Sequence, residues 1–285
     1  MFTRLSNSWQ LLKASAKVLR EDKELIVFPL VSFLASIVVM ATFAVPLLLS
    51  GIIDRMANDR TSSGDGPLGL IMGFLFYFVL YTVVIFCNTA LVGAVMMRLR
   101  GEAPTLKAGF GVARQRIGSI LGYAAISATV GMILRTIAER GGIVGRIVAG
   151  LIGFTWGVAT YLVVPVLVVE NVDPVQAIKR SAALLKQTWG EQIVGNFGLG
   201  AITGLIFFAV ILLVIVPLMA LVITLKSVAL IITVVALSVL LLVAMGLISS
   251  ALQGIYIASV YHYATAGNAG GLLSDEIVQG AFRQK

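Results

Sequence analysis

The sequence predicts an all-α membrane protein, a polytopic bundle of about six transmembrane helices. Of its 285 residues, 59% are hydrophobic and 12% are charged, and the mean hydropathy is +1.02. A water-soluble domain cannot bury so much apolar surface, and this composition is typical of a multi-span membrane protein. The apolar runs also lack the alternation of transmembrane strands, whose open edges cannot face lipid. We therefore treat residues 1–285 as one integral membrane domain with a cytoplasmic tail at 263–285.

The individual spans follow from the length of the apolar runs. A helix needs about 20 apolar residues to cross a hydrocarbon core of about 30 Å. The six segments that meet this requirement are 25–50, 68–97, 117–137, 143–169, 191–219 and 229–262. The first run is too long for the core of a signal peptide and is expected to be a retained span. The sixth exceeds one crossing, so its end is expected to project from the hydrocarbon.

The basic residues predict the orientation of the spans. The N-terminal segment, the loops at 98–116 and 170–190, and the C-terminal tail together hold 15 of the 21 lysines and arginines. Because basic residues stay on the cytoplasmic side, both termini are expected in the cytoplasm of a bacterial inner membrane. The net charge of +8 then reflects topology and contact with anionic lipid, and it does not indicate nucleic-acid binding.

A basic amphipathic segment, 173–190, lies between the fourth and fifth spans. Asp173 can cap a helix that begins at Pro174. One helical stripe contains Ile178, Ala182, Leu185 and Trp189, and the same spacing recurs at Leu5, Trp9, Leu12 and Ala16, and at Leu106, Phe110, Ala113 and Ile117. Each segment leads into an odd-numbered span. The sequence therefore predicts three repeats of amphipathic helix plus membrane hairpin, at 1–97, 104–169 and 174–262.

The three amphipathic helices have two interpretations. Basic helices with apolar anchors can lie in the membrane interface, where their cations meet anionic headgroups and their apolar side chains insert into lipid. Alternatively, the helices pack on the protein's own loops. The interfacial interpretation gives these candidate headgroup contacts: Lys13, Lys17, Arg114, Arg116, Lys179, Arg180 and Lys186.

Small residues four apart predict close packing between spans, because they allow helix backbones to approach each other. The pairs are Gly69/Gly73, Gly118/Gly122, Gly141/Gly145, Gly153/Gly157, Gly200/Gly204 and Ser250/Gly254. Pro46, Pro165 and Pro217 are expected to bend their spans. The polar side chains inside spans are expected to form interhelical hydrogen bonds, and they are Thr82, Asn88, Thr89, Thr129, Thr155, Asn196, Thr203 and Gln253.

The sequence offers little for catalysis or for cofactor binding. It has one histidine, His262, and one cysteine, Cys87, so we expect no metal site, no cofactor and no enzymatic activity. Cys87 is expected to be a small buried hydrophobe, and His262 part of an aromatic belt at the interface. An intramembrane enzyme would require a cluster of His262 with Glu170 or Glu191.

Three stretches carry a resemblance to known sequences. They are "SWQLLKASAKVLREDKELIVFPLVS", "VPVLVVENVDPVQAIKRSAALLKQTWGEQIVGN" and "YHYATAG…GAFRQK". Together they resemble an uncharacterised bacterial family of six-span membrane proteins. The middle stretch is also similar to the membrane domain attached to some glycerophosphodiester phosphodiesterases, through Pro165, Glu170, Pro174, Ala177, Ser181 and Leu184. The resemblance implies a bacterial membrane fold but supplies no active site.

Two functions fit these observations best. The first is a non-catalytic membrane protein that organises lipids, or a membrane protein partner, at the cytoplasmic face. The second is a transporter or flippase for a small amphiphile, since many transporters contain internal repeats and interrupted helices. A cavity lined by Asn88, Asn196 or Gln253 would favour transport.

Overall fold

The computed structural model describes residues 13, 15–49, 67–189, 198–224 and 227–267, and these residues are almost entirely helical. The helices are α1 (15–21), α2 (Val27–Leu49), α3 (Pro67–Leu99), α4 (Leu106–Gln115), α5 (Ile117–Arg140), α6 (Gly142–Ala159), α7 (Val163–Val169), α8 (Pro174–Trp189), α9 (Gly198–Val210), α10 (Val216–Thr224) and α11 (Val228–Ala266). A 3₁₀ turn at Lys23–Ile26 leads into α2, and a π-helical segment at Ile211–Ile215 joins α9 to α10.

The prediction of six spans is confirmed for the described chain. Six segments are long and apolar enough to cross a membrane: Lys23–Pro46, Gly69–Leu99, Ile117–Arg140, Gly142–Val169, Thr203–Thr224 and Val228–Ala266. The fifth runs past its predicted end, and its predicted start at 191–197 lies outside the described residues. The tail beyond 267 lies outside them too.

Buried residues concentrate at one end of the bundle. On the spans most of them lie at the start of α2, the last four turns of α3, the start of α5, α7 and the last third of α11; the exceptions are Gly145, Ala149, Val222 and Val234. Odd spans begin at this end and even spans finish there, so these positions meet in one core. The opposite halves of the spans expose most of their large apolar side chains, as expected for helices surrounded by lipid. We call the packed region the core end.

Helix α4 packs on the last turns of α3 at the core end. A Cβ atom on Gly109 would lie 2.8 Å from the carbonyl oxygen of Ala90, and one on Gly93 would lie 3.0 Å from Val112. Glycines on both helices therefore allow the two backbones to approach closely. The sequence interpretation missed this contact, because neither glycine belongs to a recognised pair.

Helix α8 likewise packs on the hairpin that precedes it, against α5, α6 and α7. Ala177, Leu184 and Leu185 are buried in this contact. The predicted insertion of Leu185 into lipid is therefore wrong, since only 2% of this residue is exposed and it joins the protein core. The side chain of Trp189 lies outside the described part of the chain.

The prolines act differently from one another. Pro46 lies within the continuous helix α2. Ahead of Pro165 the fourth span is interrupted at 160–162, because proline lacks an N–H and its ring collides with the carbonyl group four residues earlier. Ahead of Pro217 the helix widens, and the Val216 N–H bonds to the Ile211 carbonyl, five residues back. This wider turn accommodates the proline in span 5.

Several predicted packing sites are corrected by the structure. A Cβ atom on Gly73, Gly118, Gly157 or Gly204 would meet nothing within 4 Å, so these glycines do not mark close crossings. Three other members of the predicted pairs do make close contacts, namely Gly122 against Pro174, Gly145 against the Ile137 carbonyl, and Gly254 against Leu91. Gly153 meets only Leu134, at an ordinary 3.5 Å, and the side-chain environment of Gly200 lies outside the described residues.

The predicted interhelical hydrogen bonds of four threonines are wrong as well. The hydroxyl groups of Thr82, Thr89, Thr129 and Thr155 each donate to the carbonyl four residues earlier in their own helix, at 2.7–3.0 Å. This local bond is always within reach of a helical threonine, so it forms without a partner helix. Asn196 lies outside the described residues, and Gln253 is exposed and bonds to Ser249 within α11.

Candidate functional site at the end of the fourth span

A four-residue loop, 170–173, reverses the chain between α7 and α8. Glu170 terminates α7 by donating its N–H to the Val166 carbonyl. Asn171 takes a left-handed conformation, with φ of 51°, which asparagine tolerates better than most residues. Asp173 then caps α8, because its Oδ1 accepts the N–H groups of Val175 and Gln176, each at 3.0 Å. The prediction of Asp173 as the cap is confirmed.

Glu170 joins three elements at this loop. The Nε atom of Arg180 in α8 donates to both carboxylate oxygens, at 3.1 and 3.2 Å. The hydroxyl group of Tyr261 in α11 donates to Oε1 at 3.1 Å. The carboxylate therefore connects the end of span 4 to both α8 and span 6.

Arg116, at the junction of α4 and α5, approaches the same loop from another side. Its guanidinium donates to the side-chain oxygen of Asn171 and to the Val168 carbonyl, the latter at 3.3 Å. The Ser119 hydroxyl donates to the Val172 carbonyl at 3.3 Å. A cation beside the last carbonyls of α7 also complements the negative end of that helix.

The interruption in span 4 is closed by a side chain from α8. The Leu162 N–H donates to Oγ of Ser181 at 3.0 Å. A buried N–H without an acceptor would be costly, and Ser181 is itself fully buried. The Tyr123 side chain of span 3 lies close to Thr160, so a polar group of a neighbouring span is found beside the same break.

The six residues that carry the resemblance in the middle stretch all lie around this site. Glu170 and Ser181 make the contacts above, Pro165 follows the break, and Pro174 lies against Gly122, where a Cβ atom would be 2.7 Å from its ring. Ala177 and Leu184 are buried. Each position of the pattern thus has a role in holding α8 on spans 3 and 4. Sequence reasoning missed Tyr261, which is 91 positions from its acceptor.

The candidate headgroup residues fall into two groups. Lys13, Lys17, Arg114, Lys179 and Lys186 are exposed at the core end. Arg116 and Arg180 instead contact the 170–173 loop. The structure therefore separates cations that face outward from cations that also hold the fold together.

A second ion-pair cluster fixes α1 to the end of α3. Arg98 lies 3.1 Å from both Glu21 and Asp22. The helix that carries Lys17 is therefore held at the core end with α4 and α8.

A cluster of metal ligands does not form in the described ranges. No three His, Cys, Asp or Glu side chains there could hold a metal ion. Cys87 is buried, as expected. Glu170 is engaged by Arg180 and Tyr261, and Glu191 lies outside the described residues.

A family described as "Family of unknown function (DUF6159)" matches residues 68–271. The chain belongs to this family. The match covers spans 2 to 6 and the whole 170–173 loop, so the site is part of the family's common region. No curated protein matches the chain, and no solved structure matches it. The similarity to the membrane domain of phosphodiesterases therefore finds no support in these comparisons.

Proposed function

We propose that this protein is a non-catalytic, multi-pass inner-membrane protein that organises anionic lipids at its cytoplasmic face. The observation that carries the proposal is the outward position of Lys17, Arg114, Lys179 and Lys186 on three helices whose opposite faces are buried. Such a surface offers cations at fixed positions near the membrane boundary, where each contributes about 1 kcal/mol of attraction to anionic lipid.

The orientation with both termini in the cytoplasm is part of this proposal. The segments rich in lysine and arginine, 98–116 and 170–190, lie at the core end, as does α1. The positive-inside rule then favours a cytoplasmic core end.

The threefold repeat is also proposed, and burial supports it. Ser181 lies eight residues after the cap of α8, and Ala113 lies eight residues after the Thr105 cap of α4. The match of "SAKVL" with "SAALL" places Ser15 at the same position of α1. All three residues are completely buried, as expected if each amphipathic helix contacts the bundle through one equivalent small residue.

The amphipathic helices α1, α4 and α8 are proposed to contact the membrane mainly through their cations, unlike peptides that insert their apolar side chains into lipid. Because Leu184 and Leu185 pack inside the protein, the basic faces rest on a protein surface and need little insertion. A membrane protein partner with an acidic surface would meet the same cations.

Paired variants test the lipid proposal. Purification in native nanodiscs followed by lipid mass spectrometry should show enrichment of anionic lipid around the wild-type protein. The double variant Lys179→Gln/Lys186→Gln should lose much of this enrichment, about fivefold for each charge at low salt, and added salt should have the same effect. The matched control is Arg140→Gln/Arg146→Gln, which removes two charges from the α5–α6 turn at the other end.

The control variant should retain the enrichment. Equal enrichment in both variants and the wild type, with no repeatably co-purified protein, would refute the proposal. Equal loss in both variants would also refute it, because net charge alone would then set the preference.

A second candidate, a transporter or flippase for an amphiphile, is favoured by one observation. The interruption of span 4 at 160–162 lies beside the Tyr123 side chain of span 3, and interrupted spans form binding sites in many transporters. Proteoliposomes that scramble a fluorescent lipid, with slower scrambling in Tyr123→Phe, would support this candidate over the first.

A further inference from the structure

We infer that Arg180 is an exchangeable phosphate site, where the phosphate group of an anionic lipid replaces the Glu170 carboxylate and thereby loosens α8 from the break in span 4. This inference rests on the proposed lipid binding and assigns it a ligand group and a structural consequence.

The first support is the geometry of Arg180. Its Nε atom contacts both oxygens of Glu170, and 45% of its side chain is exposed. A guanidinium group binds phosphate with the same planar set of donors that it offers to a carboxylate. Because an exposed ion pair of this kind is weak, a phosphate at the membrane surface can compete with Glu170. Lys179 and Lys186 on the same helix attract that phosphate.

The second support is the remaining partner of Glu170. When Arg180 turns to a phosphate, the Tyr261 hydroxyl still donates to Oε1 of the carboxylate. The Glu170 side chain is also partly open to solvent, at 24% exposure. A buried carboxylate without a donor would oppose the exchange. The Glu170 carboxylate avoids this, because it keeps one donor and some contact with solvent.

The third support is the link between Arg180 and the break in span 4. Ser181, the next residue, holds the Leu162 N–H through a buried hydrogen bond. The Arg180–Glu170 pair and this bond fasten the same turn of α8 to the same span. Loss of the ion pair therefore makes separation of Ser181 from Leu162 more frequent.

Hydrogen–deuterium exchange at the Leu162 amide tests this inference in the full chain. The wild-type protein is compared in nanodiscs of phosphatidylcholine and in nanodiscs of an equimolar mixture with phosphatidylglycerol. Exchange should be about two- to fivefold faster in the anionic nanodiscs, as expected for the loss of a weak ion pair. Inorganic phosphate added to the phosphatidylcholine nanodiscs separates the two sources, since an equal acceleration would identify free phosphate as the ligand and overturn the assignment to lipid.

Variants of the pair sharpen the test. In Arg180→Gln the Leu162 amide should exchange at the same rate in both lipids. In Glu170→Gln it should exchange rapidly in both. Arg180→Lys keeps the charge but loses the planar donors, so it should show a smaller lipid response even if the glutamine variants fold poorly. The control Arg146→Gln removes an exposed charge at the other end of the bundle and should preserve the acceleration.

The possible failures are distinct. Anionic enrichment without faster Leu162 exchange would overturn this inference and leave the proposed function standing. A lipid response that persists in Arg180→Gln would also overturn it. Absence of anionic enrichment in the wild-type protein would refute the proposed function itself.

Discussion

Replacement of Ser181 by alanine should destabilise the protein by about 1–3 kcal/mol, the usual cost of leaving a buried polar group without its partner. The Ser181 Oγ accepts the Leu162 N–H at 3.0 Å, and the serine is fully buried. Leu162 lies in the interruption of span 4, so its N–H has no regular helical acceptor to return to. The free energy of unfolding can be measured by titration with sodium dodecyl sulfate, followed by circular dichroism.

Ser259→Ala is the matched control, because Ser259 is another fully buried serine in a helix. Its hydroxyl donates to the Ile255 carbonyl at 3.0 Å, within its own helix α11. Removal of that hydroxyl leaves no buried N–H without an acceptor. The free energy of unfolding should therefore fall by less than about 1 kcal/mol. Equal losses for the two variants would refute the assigned role of Ser181, since they would show only the general cost of removing a buried hydroxyl.

The other predictions use the same unfolding measurement or a topology assay. Gly109→Ala should lower the free energy of unfolding by about 1–3 kcal/mol, because its Cβ would collide with Phe28 and the Ala90 carbonyl. Gly111→Ala has open space around it and should be neutral or stabilising by up to about 1 kcal/mol. Equal effects of the two variants would contradict the close contact of α4 with α3. Thr89→Val should cost less than about 1 kcal/mol, because the buried hydroxyl bonds only to its own helix, and a larger loss would indicate a second partner. Reporter fusions at Asn58 and Lys285 should read on opposite sides of the membrane, and a reading on the same side would end the proposed topology.

The spans could be predicted from the sequence because lipid solvates each helix separately. A long apolar run crosses the bilayer whatever its neighbours are. The cap at Asp173 was also predictable, since it acts on amides two and three residues away. Both features depend on local chemistry that a single sequence displays.

Contacts between distant residues could not be predicted in the same way. The spacing predicted close packing at Gly73 and not at Gly109, yet it is Gly109 that lies against another helix, because the chain opposite each glycine decides the contact. Pro165 indicated a bend in span 4, but nothing near it indicated that Ser181 would receive the released N–H. The partnership of Glu170 with Tyr261 depends on how span 6 returns to the core end.

The concentration of buried residues at the core end has a mechanical consequence. The far halves of the spans are bordered mainly by hydrocarbon, so their spacing and tilt follow the thickness of the surrounding bilayer. The core end, with its close glycine contacts and ion pairs, keeps its geometry as the bilayer changes. Bilayers of different thickness should therefore change the spacing and the tilt of the far halves of the spans without deforming the core end.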